Sequence, residues 1–250
     1  MQMDLSGRTA LVTGGNVGIG KAVALAFAEH GADVALTYYQ HDDNETVTAI
    51  ENLGRRALAL QLDATDSAAV DRAVDAVAAE FGRIDILVAN AGGLVGRVGL
   101  AAMTDEHWHN VLDVNLSSAM YTARAVARHM DRSWGRMILI SSLAARNGGG
   151  PGTLAYSTAK AGQVGLTRFL ARELAPGVTV NGVAPGFISA TPFHETFSAP
   201  KDQQAYIEAT LVKRAGVPDD VAATVLFLAS DLAGFITGEV VDVNGGAYFS

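Results

Sequence analysis

Short, nearly all-apolar runs alternate along this chain with stretches in which apolar residues recur every three or four positions. The runs are Thr9–Thr13, Val34–Tyr38, Ala57–Leu60, Ile84–Ala89, Met137–Ile140, Val178–Val183 and Val240–Val243. Such runs suit strands covered on both faces. Between them, Val23, Ala26 and Phe27 stand at i, i+3 and i+4, the spacing of one helix face. Val70, Ala73, Val74 and Val77 repeat that stripe, and so do Leu166, Phe169 and Leu170. Strands alternating with helices imply parallel pairing through right-handed crossovers. The expected fold is therefore α/β, a single Rossmann-type doubly wound parallel sheet of about seven strands with helices on both faces.

No linker or repeat breaks this rhythm, so residues 1–250 read as a single domain. The long irregular stretch, residues 187–216, carries Phe193, Phe197 and Tyr206 among polar residues. It reads either as a variable surface loop or as a substrate lid. The lid is favoured, because long loops in compact domains are often functional.

Composition narrows the function classes. With 49% hydrophobic and 18% charged residues the chain is in the globular range. It has no cysteine, which excludes disulfides and thiolate metal sites. A net charge of -8 without any basic run argues against a nucleic-acid binder. The apolar stretch Val221–Ala229 is too short to span a membrane, and Met1–Gly7 lacks a signal-peptide pattern. A cytoplasmic protein is expected. His107 and His109 are spaced i, i+2, which points them apart on a helix, so no metal site is expected.

The first strand runs into Thr13-Gly14-Gly15-Asn16-Val17-Gly18-Ile19-Gly20, and a helix follows at once. Such a unit places backbone N–H groups at a helix N-terminus, a ready site for a pyrophosphate. Further along, Tyr156 and Lys160 stand four apart in a predicted helix and share one face. A phenol titrates near about 10 in isolation. A neighbouring ammonium stabilises phenolate and is expected to lower that value toward the range useful for proton transfer.

Together these motifs resemble the classical short-chain dehydrogenase/reductase family, and the resemblance covers nearly the whole chain. Gly14, Gly18 and Gly20 follow T-G-x-x-x-G-x-G. Asn90-Ala91-Gly92 matches the segment after the fourth strand, and Asp113-Val114-Asn115 the helix asparagine. Ser141-Ser142 ends the fifth strand, and Tyr156-Ser157-Thr158-Ala159-Lys160 matches Y-x-x-x-K. Asn181 to Gly186 matches N-x-x-x-P-G, and Asp242-Val243-Asn244-Gly245-Gly246 resembles the closing strand. The run from Ser142 to Tyr156 is one residue longer than the usual spacing, with the glycines of Asn147–Gly152 available to absorb it.

The resemblance implies an oxidoreductase that interconverts a ketone and a secondary alcohol with NAD(P)(H). Its catalytic residues would be Asn115, Ser142, Tyr156 and Lys160. Tyr156 would serve as acid/base, with Ser142 positioning the oxygen. Lys160 would tune Tyr156, and a water held near Asn115 would relay protons. The cofactor-binding set would be Gly14, Asn16, Val17, Gly18, Ile19 and Gly20, then Tyr38, Asp63 and Ala64. Asn90, Ala91, Gly92, Tyr156, Lys160, Pro185, Gly186, Ile188 and Thr191 would complete it, with Asp63 beside the adenine. Asp63 also reads as an ordinary helix N-terminal acid.

Tyr38 takes the place near the end of the second strand where NAD users carry an acid for the ribose 2′-hydroxyl. A 2′-phosphate would meet no repulsion there, which favours NADP(H) over NAD(H). The usual arginine is also absent. Lys21 and His41 are the nearest bases, and Asp42 or Asp43 could favour NAD instead. The family further implies a homotetramer built on the Trp108–Met130 and Ala155–Leu174 helices and the C-terminal strand. Its 3-oxoacyl-[acyl-carrier-protein] reductase-like members suggest a thioester substrate. Arg124, Arg128 and Arg132 form a helical stripe that reads as a solvated face or as a dock for an acidic carrier protein. The Ala175-Pro176-Gly177 turn lacks a base those reductases often carry. The rivals are a cofactor sensor that kept the fold without the catalysis, and an epimerase or dehydratase. A sensor would have no need of all four catalytic residues, and the second group usually adds a C-terminal domain.

Overall fold

The computed structural model describes residues 3–40, 44–197 and 199–250. The readings placed on His41, Asp42 and Asp43 lie outside the described residues. The strands are β1 (Thr9–Val12), β2 (Asp33–Tyr38), β3 (Ala57–Gln61), β4 (Ile86–Ala89), β5 (Gly135–Ile140), β6 (Val178–Pro185) and β7 (Val240–Val243). They form one sheet in the order β3-β2-β1-β4-β5-β6-β7. Every pairing is parallel. All seven apolar runs became strands. The four central ones, β1, β4, β5 and β6, are buried at every position.

Helices cover both faces. On one side α1 (Gly18–Glu29), α2 (Glu45–Asn52) and α10 (Pro218–Ala229) close a core around Val23, Phe27, Ile50, Val88 and Val225. On the other, α3 (Ser67–Phe81), α5 (Ser118–Ala127) and α7 (Leu154–Leu174) close a second core around Val70, Val74, Leu87, Ala123 and Leu139. A helix α4 (Asp105–Leu112) leads into α5, and a short α6 (Ala144–Asn147) follows β5. Two further helices, α8 (Pro192–Phe197) and α9 (Pro200–Ala209), lie between β6 and α10. Among the described residues no helix is long and apolar enough to cross a membrane.

Three local expectations are corrected. The stripe Leu166, Phe169, Leu170 is only partly buried on α7, with Leu166 and Leu170 packed against the second core. Phe169 is 61% exposed, and the face turned inward carries Ala159, Lys160, Gln163, Thr167 and Ala171. Small and polar residues sit there because that face serves the site as well as the core. The stretch from Trp108 to Met130 is not one regular helix. A π-helical turn, Asp113–Ser117, separates α4 from α5. Residues 187–216 are not irregular throughout, since they hold α8 and α9. Phe193 and Phe197 stand four apart on one face of α8, too short a pattern to mark a helix in the sequence.

Candidate active site

The strand order reverses between β1 and β4, and the crevice beyond their C-terminal ends is where such sheets place ligands. Side chains brace this crevice. Thr13 Oγ1 accepts the N–H groups of Asn90 and Ala91, each at 3.0 Å. Asn90 Nδ2 donates to the carbonyls of Thr13 at 2.9 Å and Gly14 at 3.0 Å. Thr37 Oγ1 accepts from Gly14 N at 3.3 Å. A Cβ on Gly20 would lie 2.0 Å from the Gly14 carbonyl oxygen, so the loop closes only on glycine. Val17, the N-cap of α1, gives no side-chain acceptor to the first-turn N–H groups. These donors face the crevice without a cap, and with Gly18 at φ 53° they fit a phosphate group.

A cavity of about 590 Å³ runs from this loop to the aromatic residues of the 187–216 segment. Gly14, Asn16, Val17, Gly18 and Ile19 line one end. Asn90, Ala91, Gly92, Pro185 and Gly186 line its middle, with Ile188 and Thr191 beside them. Ser142, Tyr156 and Lys160 meet there too. The cavity thus joins the glycine loop and the open helix N-terminus to the Ser142–Tyr156 pair, a lining that fits a dinucleotide with a small molecule beside its nicotinamide end.

Five expected residues stand outside that wall. Gly20 acts from behind the loop. Tyr38 ends β2, paired with Gln61, and the wall is formed instead by the next two residues, Tyr39 and Gln40. Asp63 Oδ1 accepts from Thr65 N at 2.9 Å and from Thr65 Oγ1 at 2.7 Å, and Ala64 follows it in the same turn. The N-cap of α3 is Asp66, not Asp63. Asn115 is fully buried in the π turn. Lys21, the nearest base to the loop, is paired with Glu45 at 2.7 Å.

Asn115 holds the segment after β4. Its Nδ2 donates to Gly93 O at 2.8 Å and Val111 O at 2.9 Å, and its Oδ1 accepts from Gly93 N at 3.0 Å. The widened turn leaves its own carbonyl out of the usual ladder, and Gln163 Nε2 donates to it at 2.6 Å. The side chain of Gln163, itself buried, therefore braces this carbonyl. A Cβ on Gly92 would lie 2.8 Å from Asn115 Oδ1 and 3.2 Å from Lys160 Nζ, so these groups converge on that glycine.

Lys160 is 3% exposed. Its Nζ donates to Ile140 O at 2.8 Å and stands 5.8 Å from the Tyr156 ring centroid. Burial pushes its ammonium down to about 7. Burial pushes the Tyr156 phenol up to about 12, opposed by its hydrogen bond with Ser142. Desolvation is the larger effect on both groups, and the one bond to Ile140 O leaves two of the ammonium's three N–H groups for other partners. Ser142 Oγ also accepts from Ala144 N at 3.1 Å, which fixes it at the end of β5. The longer run to Tyr156 is taken up by Gly148, Gly149 and Gly152 at φ 82°, 73° and 75°.

Sequence reading passed over Thr37, Gln163 and Arg97, and took Thr13 and Ser141 only as members of their motifs. Ser141 Oγ donates to Lys160 O at 2.8 Å and locks the helix that carries the lysine. The partners of all five lie far off in sequence, which no local spacing reveals. Among the described residues no group of three or more His, Cys, Asp or Glu side chains could hold a metal ion.

A family model described as enoyl-(acyl carrier protein) reductase matches residues 14–248. The chain is 41% identical to the 3-oxoacyl-[acyl-carrier-protein] reductase FabG of Escherichia coli, over 98% of this chain and 99% of that protein. It is 44% identical to the short-chain reductase protein NovJ of Streptomyces niveus, over 95% of this chain and 92% of that one. A short-chain dehydrogenase from Burkholderia cenocepacia, solved with NADP, superposes with a TM-score of 0.91 at 39% identity, covering 97% and 98% of the two chains. Sheet order, glycine loop and full-length similarity agree: the chain belongs to the classical short-chain dehydrogenase/reductase family, oxidoreductases that interconvert carbonyl and alcohol groups with NAD(P).

Proposed function

We propose that this site reduces a ketone on an apolar molecule to a secondary alcohol, with Tyr156 as the proton donor and NADP(H) as the preferred cofactor. The observation that carries this reading is the hydrogen-bonded pair Ser142 and Tyr156 in a cavity that continues to an uncapped helix N-terminus. A bound nicotinamide supplies the hydride. At neutral pH the Tyr156 phenol is protonated, because burial disfavours its anion. It donates that proton to the substrate oxygen as charge develops there. The Ser142 hydroxyl holds the same oxygen and stabilises the charge. Lys160 is placed between Ile140 O and the tyrosine, where ribose hydroxyls offer it new partners. Asn115 keeps Gly93 and the floor of the pocket in place. Oxidation runs these steps in reverse.

Residues 187–216 act as the substrate lid in this reading. Phe193 stacks 5.7 Å from Tyr156 and 5.6 Å from Phe197, while Phe187 and Tyr206 pair at 5.5 Å. This apolar roof suits a hydrocarbon or aromatic substrate. A 3-oxoacyl thioester is the second reading, favoured by the 41% identity to FabG. A carrier protein as its vehicle has less support. Arg124 donates to Ser67 Oγ at 2.7 Å, Arg128 pairs with Asp71, and Arg132 donates to Glu173 O at 3.2 Å. Arg124 and Arg128 thus tie the end of α5 to α3, while Arg132 stands beyond the helix, in the turn before β5, and off the expected stripe. NADP(H) is preferred because Tyr39 and Gln40 bring no carboxylate to the adenosine end, and the Burkholderia cenocepacia relative was solved with NADP. A homotetramer in the cytoplasm completes the reading, supported by the exposed Met120 on α5 and Phe169 on α7.

The test is oxidation of NADPH and NADH, followed by absorbance, against aryl ketones and 3-oxoacyl thioesters. Turnover is expected, faster with NADPH, and Tyr156→Phe should lower kcat by about 100-fold or more. Near-normal turnover in that variant would remove Tyr156 from the role.

A further inference from the structure

We propose that Arg97 recognises an anionic group on the substrate, so that the ketone reduced here carries a carboxylate or phosphate beyond its apolar body. This rests on the functional reading above. Arg97 lines the cavity at the aromatic end. Its Nη1 donates to Pro151 O at 3.0 Å and its Nη2 to Phe197 O at 3.2 Å. The guanidinium thus sits between the glycine run after α6 and helix α8 of the lid. It has five N–H donors in a planar fork, and those two bonds leave the rest for an oxyanion. Among the described residues no carboxylate pairs with it, although most arginines of this chain have such a partner.

The surroundings select the sign of the ligand. The chain carries a net charge of -8, yet among the described residues no Asp or Glu lines the cavity. The basic wall residues described are Lys160, buried beside the tyrosine, and Arg97, exposed at the rim. Around Arg97 the described wall thus sets a guanidinium at the mouth with no carboxylate to neutralise it.

The backbone aims that side chain at some cost. Val95 has φ 63°, and Gly96 N donates to Leu94 O at 2.7 Å. This is a tight turn of the strained γ kind, centred on a β-branched residue. It sends Leu94 into the core, 1% exposed, and brings Arg97 to the rim. On the far side Gly152 is at φ 75°, and a Cβ there would lie 2.9 Å from Arg97 Cβ. Val98 N donates to Gly152 O at 3.0 Å and closes the pair of loops. Strain of this sort persists where surrounding structure over-determines it, which is common around ligand clamps.

The anion could be a carboxylate of the substrate itself or a phosphate on a pantetheine arm, and two substrate pairs separate these. One pair is 5-oxo-5-phenylpentanoate and its methyl ester. The other is 3-oxobutyryl-CoA and its N-acetylcysteamine thioester, which has no phosphate. In at least one pair the wild-type enzyme should favour the anionic member by about 10- to 100-fold in kcat/KM, mainly through KM, as expected for a charge-assisted pair. Arg97→Met should bring that ratio close to one, and Arg97→Lys should leave it between the two. The same ratio is read as binding affinity, by calorimetry on the NADPH-loaded enzyme, so the answer does not depend on turnover. Anionic and neutral members treated alike by the wild-type enzyme, or a preference that survives Arg97→Met, would overturn the proposal. An enzyme that turns over none of these ketones speaks against the proposed function, and the calorimetric ratio still decides Arg97.

Discussion

At the scale of single residues, the most consequential group is a lysine held away from water. Lys160 titrates near about 7 in the folded chain, far below its value in an unfolded one. Between that value and the ordinary lysine pKa, about 10.4, the unfolded chain binds a proton that the folded chain does not. Protonation there favours unfolding, so this group makes stability rise with pH across the window and leaves it level below about 7. The slope is at most about 1.4 kcal/mol per pH unit. Denaturant midpoints taken from pH 7 to 9.5 should climb in the wild type and stay flatter in Lys160→Met. A flat wild-type curve would mean that the ammonium keeps its proton in the folded state. Tyr156 has the opposite effect only above pH 10, outside that window. The presence of both residues was legible from their four-residue spacing. Their electrostatics were not, because spacing carries no information on burial or on the Ile140 carbonyl that takes the ammonium's hydrogen bond.

At the scale of elements, legibility followed burial. The strands β1, β4, β5 and β6 lie under helices on both faces, so the chain writes them as nearly all-apolar runs. Helices α1 and α3 showed their stripes because each buries one face against a sheet. Helix α7 misled because its inner face carries Lys160, Gln163 and Thr167, polar residues whose hydrogen bonds go to the carbonyls of Ile140, Asn115 and Gln163. The π turn at Asn115 and the helices α8 and α9 were illegible for a related reason, since contacts with other elements shape them. The start of α3 shows how fine the distinction can be. Asp63 and Asp66 are three apart, but only Asp66 accepts from Ala68 N and Ala69 N, at 2.9 and 3.1 Å. Asp66→Ala should lower stability by about 1 kcal/mol, the ordinary worth of an N-cap. Thermal or denaturant unfolding would read it, and an unchanged midpoint would show that the cap contributes nothing here.

At the scale of the whole molecule, the two cores leave some apolar surface on the outside. Phe169 is 61% exposed on α7, and Met120 is 36% exposed on α5, both helices of the same layer. In the proposed tetramer this layer meets its copies. Phe169→Glu should then shift the assembly to a smaller species by light scattering, while the far-ultraviolet circular dichroism of the subunit is kept. A mass unchanged by the substitution would place the interface elsewhere or remove it.

The placement of β1 between β2 and β4 also governs how the chain can acquire its shape. Ala10 pairs with both Val34 and Ile86, so one side of the first strand stays open until the fourth has been made. Parallel pairing at that separation requires a long loop to close before any contact rewards it. On a ribosome, the first three strands and their helices therefore emerge with the cleft-forming edge of β1 bare. That edge is a template for wrong partners during the interval. Refolding should accordingly be slow for a chain of this size and sensitive to concentration. The bond network of Thr13 and Asn90, which later cradles a ligand, is formed when that edge is finally covered.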